Sequence, residues 1–141
     1  MRQEFNERLK ELTEGKSKHK LSKNLGFGES AIDGWCLGFR SPKLSYFIRL
    51  ADYFNCSLDF LYGRSEDDTP PKPAPMPKLD ERIKSVLKAC GVTWYNVVKN
   101  TGLSKSTLLQ WGRGRDPLLS KLAELADYLG VSIDYLVGRE L

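Results

Sequence analysis

Apolar residues in the second half of the chain, residues 79–141, recur with the spacing of a series of short helices. Thr93 is well placed to cap a helix over residues 94–100, and Ser104 is predicted to cap the next helix, which continues through Trp111. The helix after that carries the apolar residues Leu118, Leu119, Leu122, Leu125, Ala126 and Leu129. These stretches, with a leading helix ended by Cys90-Gly91 and a last one capped by Ser132, predict five helices.

The first part of the chain, residues 1–64, has the same order of apolar stretches. Its predicted core positions are Phe5, Leu9, Leu12, Leu21, Leu25, Ala31, Ile32, Trp35, Leu44, Phe47, Ile48, Ala51, Phe54, Leu58 and Leu61. Residues 50–54 and 58–64 return in closely similar form at 125–129 and 133–139, an offset of 75. Upstream the offset becomes 76, as the pairs Gly26 and Gly102, Ser30 and Ser106, and Trp35 and Trp111 show. The repeat predicts two homologous all-α domains of five helices each.

The segment between the repeats, residues 65–78, is acidic at its start and rich in proline. It holds five of the chain's 7 prolines. Proline fixes φ and removes an amide donor, so neither a helix nor a sheet is expected there. We therefore predict domains at 1–64 and 79–141, joined by an extended linker.

The composition narrows the class of protein. The charged fraction is 28% and no apolar stretch reaches the length of a membrane span, so we expect a cytoplasmic protein without a membrane partner. Cys36, Cys56 and Cys90 form no CxxC pair, and with the single His19 they offer no zinc spacing. No metal, cofactor or small-molecule substrate is expected. The net charge of +4 suggests an anionic partner but does not establish one.

The stretch 97–111 has two short helical segments around a glycine, which is typical of a helix-turn-helix. Its pattern of Gly102, Ser104, Ser106 and Trp111 resembles the lambda-repressor-like family (Cro-type, XRE family). Residues 122–139 are also similar to that family. The resemblance covers both repeats and implies binding to double-stranded DNA.

By the same resemblance, bases are read by the first two residues of the third helix and by the residue before its tryptophan. In the second repeat these are Lys105, Ser106 and Gln110. Lysine donates to guanine, glutamine pairs with adenine, and serine suits either. The alternative is that all three residues are polar positions on a solvated face.

Several basic residues are candidates for phosphate contacts. In the second repeat they are Arg113 and Arg115, after the third helix, and Lys99. In the first repeat they are Lys18, Lys20, Lys23, Arg40 and Lys43. A cation that neutralises a phosphate releases counterions, so such contacts support affinity without sequence information.

The first repeat departs from the family pattern at the base-reading positions. It has Glu29 and Ser30 there, and Gly34 in place of a long polar side chain. Glutamate repels phosphate but can accept from cytosine N4. This repeat therefore either contacts DNA, with less sequence information, or serves in protein contacts.

The function implied is a sequence-specific transcriptional regulator, a repressor of prophage or mobile-element type. The alternative is a protein-interaction module, antitoxin-like or an adaptor, with little DNA binding. Enzymatic activity is not expected, because the sequence offers no nucleophile with its base, no phosphate-cradling loop and no metal-ligand set. A homodimer is left open.

Overall fold

The computed structural model describes residues 5–38, 41–72 and 75–139. It divides into two compact units, Met1–Pro70 and Pro71–Leu141. The helices of the first unit are α1 (Phe5–Leu12), α2 (Lys18–Asn24), α3 (Ala31–Cys36), α4 (Leu44–Phe54) and α5 (Leu58–Tyr62). Those of the second unit are α6 (Leu79–Cys90), α7 (Trp94–Asn100), α8 (Thr107–Gly112), α9 (Leu119–Leu129) and α10 (Ile133–Val137). The predicted all-α fold with five helices in each repeat is confirmed.

Each unit encloses its own hydrophobic core. In the first unit α1 packs against α3 and α5, and in the second α6 packs against α8 and α10. The fully buried side chains of the first unit include Leu9, Ile32, Phe47, Leu50, Leu58 and Leu61, and those of the second Ile83, Leu119, Leu122, Leu125, Ile133 and Leu136. Trp35 and Trp111 are each 5% exposed, as expected of core residues. Among the described residues, no helix is both long and apolar enough to span a bilayer.

A buried ion pair closes the last helix of each unit. Asp134, with a side chain 2% exposed, pairs with Arg139, whose Nη1 lies 2.8 Å from Asp134 Oδ1. Asp59 and Arg64 form the equivalent pair in the first unit. In both units the arginine amide also donates to the aspartate carbonyl, across 2.9 and 2.8 Å. The repeated aspartate five residues before arginine was the sequence signal for this pair.

The first unit extends beyond the end of α5. The Ser57 amide donates to the Asp68 carbonyl across 3.3 Å, and the Ser57 hydroxyl contacts the Asp67 carbonyl across 3.3 Å. Arg8 pairs with Glu66 across 3.0 Å. The first residues of the predicted linker, 65–78, are therefore held against this unit. The predicted domain boundaries themselves stay a proposal.

The third helix of the second unit starts later than predicted. Ser106, not Ser104, is its N-cap, and α8 begins at Thr107. The Thr107 amide donates to the Ser104 carbonyl across 3.2 Å, a tighter turn than that of an α-helix. Ser104 still takes part, because its amide donates to the Thr107 hydroxyl across 3.3 Å. The helix start is thus one turn of 3₁₀ character followed by α-helix.

Candidate nucleic-acid interface

The turn between α7 and α8 is fixed by side-chain hydrogen bonds. Thr101 Oγ1 donates to the Val97 carbonyl across 2.7 Å and accepts from the Leu103 amide across 3.1 Å. The Gly102 amide donates to the Glu124 carboxylate on α9. A Cβ on Gly102 would lie 3.1 Å from Glu124 Oε1, so glycine is favoured there by the close approach of this carboxylate.

The equivalent glycine of the first unit has another role. Gly26 has a φ of +79°, in the left-handed region, whereas Gly102 has no positive φ. At Gly26 the backbone freedom of glycine therefore allows the turn. In the second unit the extended conformation of Thr101 makes the turn instead.

The three predicted base-reading residues of the second unit lie at the exposed end of this turn and on α8. Lys105 and Ser106 are exposed and precede the helix, and Gln110 is half-buried within it. The Gln110 amide donates to the Ser106 carbonyl across 2.9 Å, so the three residues occupy a continuous helical path. The Ser106 hydroxyl lies 3.2 Å from the Ser104 hydroxyl.

Arg115 lies against Gln110. Its Nη1 donates to Gln110 Oε1 across 2.9 Å. The sequence predicted that Arg115 contacts phosphates, and in the structure its guanidinium contacts the side chain of Gln110, a predicted base-reading residue. A glutamine carbonyl oxygen has two lone pairs, so this contact orients Gln110 and leaves one acceptor position and both amide protons available.

The basic residues Lys99 and Lys105 line one open groove of about 450 Å³. Trp94, Tyr95 and Val98 form its apolar walls. A second cavity of about 360 Å³ shares Trp94 and Lys105 with the groove and is also lined by Arg113. Three of the predicted DNA-contacting cations, Lys99, Lys105 and Arg113, are thus brought onto one continuous surface beside α8.

Trp94 is the first residue of α7 and lines both cavities. Its ring packs edge-on against Trp111, with ring centroids 6.3 Å apart. Its indole Nε1 is buried and has no hydrogen-bond partner among the described residues. The indole of Trp94 therefore packs against Trp111, and its buried nitrogen is not exposed to a ligand in the groove.

Asp80 lines the second cavity and is mostly buried. Its side chain is 14% exposed, and Lys78 and Lys84 each lie 3.9 Å from one of its oxygens. A Cβ on Gly112, at the end of α8, would lie 2.8 Å from Asp80 Oδ2. A side chain at position 112 would therefore require the Asp80 carboxylate to shift.

The first unit presents different chemistry at the equivalent positions. Glu29 and Ser30 are exposed in the turn before α3, and His19 Nε2 lies 3.4 Å from Glu29 Oε2. Gly34, the equivalent of Gln110, is buried. No side chain therefore extends from the third base-reading position of this unit.

The predicted phosphate-contacting residues of the first unit are spread over α2 and the start of α4. Lys20 and Lys23 are exposed on α2, and Lys18 at its first position is half-buried. Lys43 is exposed and is the N-cap residue of α4. Arg40 lies outside the described residues.

Comparison with known proteins agrees with this geometry. A helix-turn-helix family matches the chain twice, over residues 8–61 and 83–136. No curated protein and no solved structure matches it. The two matched stretches together cover more than half of the 141 residues. The chain therefore belongs to the helix-turn-helix family of the XRE type and is a DNA-binding regulator with two tandem copies of that domain.

Proposed function

We propose that this protein is a sequence-specific transcriptional regulator that represses genes of prophage or mobile-element type by binding double-stranded DNA in the cytoplasm. One observation carries the proposal: Lys99 of α7, Lys105 before α8 and Arg113 after α8 line two adjoining cavities that share Trp94 and Lys105, with Gln110 on α8 itself. The family match favours this function over an adaptor without DNA binding and over an enzyme.

The second unit is proposed to read the bases. Lys105 donates to guanine O6 and N7, and Gln110 pairs with adenine in the major groove. Arg115 holds the Gln110 carbonyl, so the glutamine enters the groove already oriented. Lys99 and Arg113 neutralise phosphates on either side of the helix.

The first unit is proposed to contribute affinity and little sequence choice. Lys20, Lys23 and Lys43 are exposed and suit phosphate contacts. Glu29 disfavours phosphate and at best accepts from one cytosine, and the buried Gly34 offers no side chain. Because the two units differ in this way, the preferred site of one chain is asymmetric.

Selection of bound sequences from a random pool of duplex DNA tests the proposal. We expect a defined, asymmetric preferred sequence, and tighter binding to that sequence than to random duplex. Gln110→Ala should lower affinity for the selected sequence more than for random DNA. The matched control is Lys121→Ala, a change at an exposed residue of α9 that lies outside the proposed interface. No enrichment of any sequence, with no binding at low salt, would overturn the proposal.

A further inference from the structure

The most exposed large apolar side chains lie around the two equivalent helices α3 and α8. Tyr95 is 69% exposed, Leu37 60% and Leu109 56%, and the other exposed large apolar residues among those described are less so. Phosphates and most base edges are polar, so contacts to DNA do not explain why leucines are exposed at these positions. Binding of another protein to an apolar surface does explain it.

The offset of 76 pairs the positions of the two surfaces. Glu29 is equivalent to Lys105, Asp33 to Leu109 and Leu37 to Arg113. All six side chains are exposed. The surface around α3, which we call the acidic face, has two carboxylates and a leucine: Glu29, Asp33 and Leu37. The surface around α8, which we call the basic face, has two cations and a leucine: Lys105, Arg113 and Leu109.

These charges are free to meet a partner. Within the described part of the chain, neither Lys105 nor Arg113 forms an ion pair. Glu29 has His19 at 3.4 Å, but their side chains remain 72% and 61% exposed. Exposed ion pairs of this kind contribute little to stability. Glu29 can therefore exchange its contact with His19 for one with a lysine or arginine of a partner at little cost in free energy.

We infer that, without DNA, the acidic face of one chain docks on the basic face of a second copy, and that the second copy does the same in return. Such reciprocal docking closes a symmetric dimer with two identical contacts. Each contact joins opposite charges around an apolar centre supplied by Leu37 and Leu109. Electrostatic complementarity of this type selects the partner and the orientation.

The docked state is expected to be weak and reversible. Lys20 and Lys23 are exposed on α2, which packs against α3, and their charges oppose a strongly basic partner. A DNA duplex carries one negative charge for about every 1.7 Å of its length, so it competes effectively for Lys105 and Arg113. The regulatory part of this inference rests on the proposed function, which assigns the basic face to DNA. Because the dimer covers that face, it is a reserve form of the protein that is not bound to DNA.

Charge reversal with exchange of partners tests the dimer in the absence of DNA. One variant carries Glu29→Lys and Asp33→Lys, and the other carries Lys105→Glu and Arg113→Glu. Each variant alone presents two faces of like charge and should have the mass of one chain by light scattering at low salt. An equimolar mixture restores both contacts and should have the mass of two chains.

The matched control is Lys88→Glu with Lys121→Glu, which makes the same change in net charge as Lys105→Glu with Arg113→Glu, at exposed positions away from both faces. This control should have the mass of two chains at low salt, as the wild type does. Added salt or duplex DNA should shift the mass of the wild type towards that of one chain. A wild-type protein that is monomeric at low salt and tens of micromolar would overturn the inference. So would a mixture of the two variants that stays monomeric. Neither result affects DNA binding, which is measured separately on the wild type.

Discussion

The guanidinium of Arg115 donates a hydrogen bond to the side-chain carbonyl of Gln110, with Nη1 and Oε1 2.9 Å apart. The donor lies in the loop after α8 and the acceptor within the helix. We therefore propose that Arg115 acts through Gln110, as a positioning residue. Its removal should affect the choice of base and not only the strength of binding.

Arg115→Ala should lower the ratio of specific to random binding. The reason is that a freely rotating Gln110 must be ordered when it pairs with a base. Gln110→Ala should cost about 1–3 kcal/mol of discrimination, and the double variant should cost less than the sum of the two single changes. Competition titrations against specific and random duplexes measure all three ratios. Equal weakening on both duplexes would instead make Arg115 a phosphate contact.

Arg113→Ala and Lys99→Ala should each reduce the salt dependence of binding. A phosphate contact contributes about 0.9 to the slope of log affinity against log salt. Both variants should weaken specific and random binding by a similar factor. The measurement is a titration at four or more salt concentrations. The control is Lys88→Ala, which removes the same charge at an exposed position of α6. An unchanged slope in either variant would remove that residue from the interface.

Asp134→Ala should destabilise the second unit severely. The change removes the buried Asp134 carboxylate that pairs with Arg139, whose side chain is only 12% exposed. Breaking a buried pair from one side costs about 3–5 kcal/mol, which is most of the stability of a small domain. Thermal unfolding followed by circular dichroism measures the loss. Asp33→Ala, which removes an exposed carboxylate, should stay within about 0.5 kcal/mol of wild type. Similar midpoints for the two variants would show that the pair contributes little.

The three thiols should differ in reactivity. Cys90 is exposed, whereas Cys36 and Cys56 are buried. Burial raises the pKa of the Cys36 thiol, with a smaller opposing contribution from its hydrogen bond with Thr13. A thiol reagent at neutral pH should therefore modify Cys90 alone in the folded protein, and Cys90→Ser should abolish the fast reaction.

The raised pKa of the Cys36 thiol also predicts how the free energy of unfolding changes with pH. Its contribution is fully present below the pKa of an unfolded thiol, about 8.5, and is lost as pH rises above that value. Unfolding free energies measured from pH 7 to pH 10 should fall more in the wild type than in Cys36→Ala. A parallel decline in both proteins would contradict this assignment.

The fold was predictable from the sequence because each repeat is locally consistent. Thr93 and Ser132 cap α7 and α10 as predicted, and Gly91 follows α6 as its C-cap. Apolar spacing and capping act within a few residues, so they can be recognised without the tertiary structure. The start of α8 could not be settled in this way, because Ser104 and Ser106 are both good capping residues.

The candidate site was only partly predictable. The residue types at Lys105, Ser106 and Gln110 follow from the repeat and the resemblance. The hydrogen bond from Arg115 and the burial of the Trp94 indole depend on how a loop and a second helix pack against α8. The opposite charges of the acidic and basic faces were present in the sequence. They became meaningful only when the structure showed all six side chains to be exposed.

The hydrogen bonds of Ser57 to Asp67 and Asp68 shorten the tether between the units. At its other end, Pro77 packs against Gly138, where a Cβ would lie 2.6 Å from the proline ring. Between these attachments the chain has only residues 69–76, a reach of roughly 25 Å at about 3.1 Å per residue. Half-sites one helical turn apart are separated by about 34 Å. If each unit binds one half-site, as proposed, the half-site spacing depends on a stretch of chain outside both cores and outside α3 and α8. Inserting residues there should change the spacing of the operator without changing the bases that it contains.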